Sequence, residues 1–243
     1  MSITIPANLT YAAVLYTRNF DAAYLFYLLA KKISDEGLST KIVPGLVCAA
    51  EHESIEQTNC NWVVEYCKAA FPSVVFEEVS MVRYDRFLTG DYSSAEAKAK
   101  TEKEHEDAGV DQVNSWLSTK PDDTTVAVYS GNCKVLVDSH FDSMEEWAGA
   151  TFDNIRSGRE RTRLATMPWR SKGTDITIYR PFIEANKTRY EIYKEIKDAG
   201  LTGLINNTIG CTLSRATETN NYTQACGECY LCKEKEWIKL QHA

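Results

Sequence analysis

No apolar run in this 243-residue chain approaches the roughly 18 residues that would cross a bilayer. The start of a secretory leader is missing as well. MSITIPANLTYAAVLY has neither a basic opening segment nor a small-residue cleavage site. Together these absences predict a cytoplasmic protein with no membrane partner. Positive charge is not in excess: 27 Lys and Arg stand against 34 Asp and Glu, a net charge of −7. That balance argues against a non-specific grip on a nucleic-acid backbone, although it leaves room for a local basic groove. Histidine is scarce, and His52, His105, His140 and His242 show no metal-ligand spacing. Internal repeats and low-complexity linkers are absent too. What remains is ordinary for a globular protein, with 44% hydrophobic and 25% charged residues, enough to bury a sizeable core.

The apolar pattern reads as alternating strands and helices. Thr10–Tyr16 suits a buried strand. After Thr17-Arg18-Asn19-Phe20, Asp21–Lys32 has helical spacing, and Gly37 ends that helix. Lys41–Ala49 is a second strand, with Pro44 weakening it or marking a bulge. Ser54–Phe71 is a helix with Ile55, Trp62, Val63, Tyr66 and Ala70 inward, and Val74–Val79 is a third strand. The order β-α-β-α-β favours a parallel sheet covered by helices. Ser93–Leu117 reads as a solvated helix laced by ion pairs, and Thr125–Tyr129 as a fourth strand running into Ser130-Gly131-Asn132. A helix follows over Met144–Arg163, then a polar loop with Pro168-Trp169-Arg170. Asp175–Tyr179 is a fifth strand, and Lys187–Ala199 an amphipathic helix closed by Gly200. The fold class is therefore α/β, a parallel twisted sheet flanked by helices. Residues 1–200 form the main domain, and 201–243 a small helical lobe packed on it.

Eight cysteines call for an explanation. Cys48, Cys60, Cys67 and Cys133 are scattered among apolar residues and read as small buried hydrophobes. The other four cluster as Cys211-x14-Cys226-x2-Cys229-x2-Cys232. A C-x2-C pair puts two thiolates on one tight turn, which Gly227 helps to close. Cys232 adds a third sulfur, and Cys211 returns across a loop to complete a tetrahedron. Four sulfurs with no open position suit a structural Zn²⁺. An iron–sulfur cluster uses the same donors, whereas a redox C-x-x-C fits the third cysteine poorly.

The C-terminal third resembles the 7-cyano-7-deazaguanine (preQ0) synthases. Three pieces carry the likeness: Pro181-x5-Lys187-x3-Glu191-Ile192; Thr208-Ile209-Gly210-Cys211-Thr212; and Cys226-Gly-Glu-Cys-Tyr-Leu-Cys232-Lys-Glu-Lys. They cover about the last 65 residues, and the x14 gap looks longer than the family's. The resemblance implies the PP-loop ATP pyrophosphatase fold (adenine nucleotide alpha-hydrolase-like). It also implies ATP-dependent conversion of 7-carboxy-7-deazaguanine and ammonia to a nitrile, with ATP and Mg²⁺ as cofactors and a homodimer as assembly.

The family's Ser-Gly-Gly-x-Asp-Ser phosphate loop reads here Thr17-Arg18-Asn19-Phe20-Asp21-Ala22. Such a loop wraps phosphates with backbone N–H groups, and glycine lets the backbone come close. Both glycines are replaced, so the loop is degenerate; the Asp and one hydroxyl stay. By this resemblance Asp21 is the catalytic or Mg²⁺-organising residue, and Thr17, Arg18, Asn19, Asp21 and Lys187 contact the nucleotide. Asp21 would serve equally as a helix N-cap, Lys187 as a solvated lysine, and Arg18 as a plug in the pocket. Ser130-Gly131-Asn132 lies where open α/β folds bind ligands, and Trp169-Arg170 could stack on a purine-like substrate. Three functions follow: an active deazapurine synthase, a divergent homologue binding another nucleotide or a protein partner, or a zinc-ribbon interaction module.

Overall fold

The computed structural model describes residues 1, 3–16, 19–48, 53–78, 80–83, 111, 113, 115–134, 136–152, 166–171, 174–209 and 227–242. Most of the expected helix Ser93–Leu117 lies outside them.

β1 (Tyr11–Tyr16) is buried almost without a break and forms the middle of a six-stranded sheet. Its side chains alternate between two cores. Ala12, Val14 and Tyr16 join the larger cluster, and Tyr11 and Ala13 the smaller one on the opposite face. α1 (Phe20–Glu36) buries ten residues on the larger side. Gly37 stops it in the left-handed region at φ +61°. The Leu38 N–H then donates to the Ile33 carbonyl at 3.0 Å, closing a Schellman turn.

β2 (Lys41–Cys48) runs parallel to β1 and carries Pro44 in its interior. The register explains why this is tolerated. Ile42 pairs with Phe76 and Leu46 with Met81, so the partner chain holds one extra residue opposite Pro44. The missing proline N–H therefore falls at a bulge, where the ladder is already interrupted. The expected third strand lies further along the chain. Instead of Val74–Val79, β3 is Ser80–Arg83, and only Phe76 of the earlier stretch bridges β2. α2 (Glu53–Ala70) buries Cys60, Val63, Val64 and Cys67. Trp62 and Tyr66 are half-buried, and Ala70, expected inward, is exposed.

β4 (Val126–Ser130) pairs with the other edge of β1, and β6 (Thr174–Tyr179) pairs with β4, both parallel. α3 (Asp138–Ala148) starts six residues earlier than the expected helix, and Gly149 at φ +60° ends it. Pro168-Trp169-Arg170 is no loop. It lies in β5 (Thr166–Ser171), which is antiparallel to β6 at the sheet edge, where a proline costs no inner ladder bond. A short α4 (Pro181–Glu184) has its proline at N1. α5 (Arg189–Asp198) begins after a Thr188/Glu191 capping box, so Lys187 precedes the helix. α6 (Thr202–Asn206) and α7 (Tyr230–Gln241) follow. Trp237 and Ile238 of α7 and Leu204 of α6 are buried in the same cluster as α1. Each large apolar side chain sealed there contributes about 1.5–3 kcal/mol.

Candidate functional site

The sheet order β3-β2-β1-β4-β6-β5 sends the chain outward from β1 in one direction and from β4 in the other. The switch point lies between β1 and β4, and open α/β sheets form their ligand crevice there, beyond the strands' carboxyl ends. Leu15 is in register with Ser130, so the two ends lie side by side.

Two segments meet at this point. One is the first turn of α1, entered through Asn19, which is extended and gives no side-chain cap. The other is the chain leaving β4. A Cβ on Gly131 would sit 3.0 Å from Ala22 Cα and 3.1 Å from Ala22 N. Glycine is required here for close approach, not for a special φ.

Asp21 is 7% exposed, and its Oδ1 accepts the Ala22 N–H at 3.0 Å. The Cys133 thiol faces its Oδ2 at 3.9 Å. Cys133 is thus half-buried: it packs against the larger core, as expected, but its thiol also faces a carboxylate. Burial pushes the Asp21 carboxyl above its usual range, and the neighbouring Arg189 guanidinium opposes this.

Arg189 reaches Asp21 because the chain after β4 is stitched to the start of α5: the Lys134 N–H donates to the Lys187 carbonyl at 2.8 Å. Its side chain is 2% exposed, with Nε 3.4 Å from Asp21 Oδ2 and Nη1 donating to Glu234 Oε2 at 2.8 Å. The guanidinium lies over the Phe20 ring, 4.7 Å from its centroid. Burial alone would lower the Arg189 pKa, but Asp21 and Glu234 together hold it above the usual arginine range. Glu234 is fully buried on α7, and its Oε1 accepts the Tyr230 hydroxyl at 2.6 Å. One residue on, Lys235 Nζ donates to the Ile205 and Thr208 carbonyls at 2.7 Å each. Burial, then the charge of Arg189, lowers the Lys235 pKa to about 8.

Asp21 and Asn19 therefore lie at the switch point, and Thr17 and Arg18 fall outside the described residues. Lys187 pairs with Glu195 at 2.7 Å, leaving Arg189 to meet Asp21. Sequence reasoning passed over Arg189, Glu234 and Cys133. The available signal was a charge on an apolar face: Arg189 shares a helical stripe with Ile192, Tyr193 and Ile196, and Glu234 one with Tyr230, Trp237 and Ile238.

Cys229 is the N-cap of α7 and Cys232 lies in its first turn, both 7% exposed, with Sγ atoms 3.4 Å apart. Gly227 precedes them in the left-handed region at φ +74°. A tetrahedral zinc with bonds of about 2.3 Å sets its sulfurs about 3.8 Å apart, so the pair would open by only a few tenths of an ångström. A helix N-terminus also favours thiolates. Both cysteines fit the ion. Cys211 and Cys226 lie outside the described residues, and among the described residues no group of three or more His, Cys, Asp or Glu could hold a metal. No helix there is long and apolar enough to cross a membrane.

Comparison with protein-family models and with curated protein sequences gives no match. The class defined by the fold is α/β, with a sheet that is parallel except for the edge strand β5 and a switch point between β1 and β4.

Proposed function

We propose that this protein binds a nucleotide in the crevice between β1 and β4 and acts as a 7-cyano-7-deazaguanine synthase-like enzyme. One observation carries the reading: the first turn of α1, with Asp21, meets the Gly131 chain at the switch point. The motifs around Lys187, Cys211 and Cys226–Cys232 supply the chemistry by resemblance. ATP would activate the carboxylate of 7-carboxy-7-deazaguanine, ammonia would give the amide, and a second activation would give the nitrile. Backbone N–H groups of the α1 turn would face the phosphates, and Asp21 would organise the Mg²⁺. Cys211, Cys226, Cys229 and Cys232 would hold a structural zinc ion that anchors α7.

A second reading is favoured by one feature. Asp21 already accepts an N–H on Oδ1 and faces Arg189 on Oδ2, which suits a repurposed pocket that binds a different nucleotide or a protein partner. Calorimetry of Mg·ATP with zinc-replete protein, repeated with Asp21→Ala, separates the two. Micromolar binding abolished by the substitution supports nucleotide binding through Asp21, and AMP or pyrophosphate release with carboxy-deazaguanine and ammonia then supports the synthase. Absence of binding by folded protein removes the synthase reading and leaves the repurposed pocket.

A further inference from the structure

Arg189 is a buried cation with much of its hydrogen-bonding capacity unused. Among the described residues, only Nη1 of its three nitrogens makes a hydrogen bond, to Glu234. Nη2 meets no acceptor among the described residues, and Nε lies 3.4 Å from Asp21 without a hydrogen bond. A buried donor left unsatisfied is costly, and native proteins rarely keep one without a partner from outside the chain.

The unused donors are not scattered. Nε–H and the adjacent Nη2–H lie on one edge of the planar guanidinium, the edge that takes two oxygens of a carboxylate or phosphate side-on. Its orientation is fixed from behind. Glu234 grips Nη1, Tyr230 fixes Glu234, and Phe20 supports the guanidinium face. Asp21 stands beside the Nε end of this edge without hydrogen-bonding to it. Its Oδ1 is held by the Ala22 N–H, and its Oδ2 also faces the Cys133 thiol. The guanidinium lies against Phe20 in the first turn of α1, and an anion is favoured there by the helix dipole.

We propose that the Nε/Nη2 edge of Arg189 receives an oxyanion of the bound ligand, a phosphate or a carboxylate, making Arg189 a ligand-contact residue of the crevice. In a loop without glycines, this fork supplies donors that the backbone provides less freely. Glu234 is then a positioning residue acting through Arg189. The inference rests on the crevice reading and adds to it the ligand chemistry and the residue that recognises it.

The test uses full-length, zinc-loaded protein labelled with ¹⁵N-arginine, with the Arg189 Nε and Nη2 signals assigned through bonds. Mg·ATP, Mg·pyrophosphate and 7-carboxy-7-deazaguanine are added in turn, and each affinity is measured by calorimetry for wild type and Arg189→Lys. The expected result is a downfield shift of both Arg189 signals with at least one ligand. For that ligand, Arg189→Lys, which keeps the charge and loses the fork, should weaken affinity about tenfold or more. A shift with pyrophosphate identifies phosphate as the oxyanion; a shift with the deazaguanine alone identifies carboxylate. Wild type that binds Mg·ATP or the deazaguanine with unmoved Arg189 signals overturns this inference and leaves the crevice reading intact. Wild type that binds none of the three overturns both.

Discussion

α2 and α7 each bury two cysteines, in opposite company. On α2, Cys60 and Cys67 are fully buried beside Val63 and Val64, and burial pushes the Cys67 thiol up to about 12. On α7, Cys229 and Cys232 are nearly as buried, yet they share a helix N-terminus, stand 3.4 Å apart and have Glu234 and Lys235 on the following turn. Burial alone does not set a thiol's chemistry. Position along the helix and the neighbouring charges do. α2 is held by apolar packing, whereas α7 adds to its own apolar packing, through Trp237 and Ile238, a polar network that reaches α1 through Arg189.

The largest way to break that contrast is to remove the proposed zinc. Structural zinc sites supply apparent free energies of about 10–16 kcal/mol, and losing even about 5 kcal/mol would lower Tm by roughly 10–20 °C in a chain of this size. Chelation, or Cys232→Ser, should therefore lower Tm and red-shift the fluorescence of buried Trp237, while Cys60→Ala leaves metal content unchanged. A chelator without effect on either would remove the metal reading of α7.

Glu234→Ala comes next. It strands Arg189 beside a single carboxylate and should cost about 3–5 kcal/mol in urea unfolding. A cost below about 1 kcal/mol would mean that the network does not hold α7.

Cys67 sharpens the comparison through pH. Its folded pKa lies above the ordinary value of 9.0, so between about pH 9 and 12 the unfolded state loses a proton that the folded state keeps. The Cys67 contribution should therefore fall by about 1.4 kcal/mol per pH unit across that window. Cys67→Ala should flatten this part of the stability–pH curve, and an unchanged slope would refute the assignment. The smallest effect is expected from Thr188→Ala, which removes half of the capping box that aims Arg189. It should cost about 1 kcal/mol, read by chemical denaturation.

Much of the frame was legible because local rules carried it. Gly37 ended α1, the uninterrupted apolar stretch at residues 11–16 made a central strand, and Pro44 marked a bulge. The third strand was misplaced because the stretch that pairs with β2 is set by register against a strand far along the chain, which leaves no local mark. Pro168 read as a loop because nothing nearby says that its strand lies at an edge, where proline is harmless. Of the candidate site, Asp21 was visible from its loop and the C-x2-C-x2-C knuckle from its spacing. Lys187 was singled out and Arg189 passed over, although Arg189 is the cation that meets Asp21 and Lys187 pairs with Glu195; which of two cations two residues apart reaches a distant carboxylate leaves no mark in the local sequence.

By itself the sequence determined an α/β chain with alternating strands and helices and a clustered set of four cysteines, because periodicity and short spacing are properties of neighbouring residues. Only the tertiary structure decided that Asp21, Arg189 and Glu234, which are spread over more than two hundred positions, form one buried network on α1, α5 and α7. A buried charge is tolerable only beside its counter-charge, and which helix supplies that partner is settled by how the helices pack on the sheet.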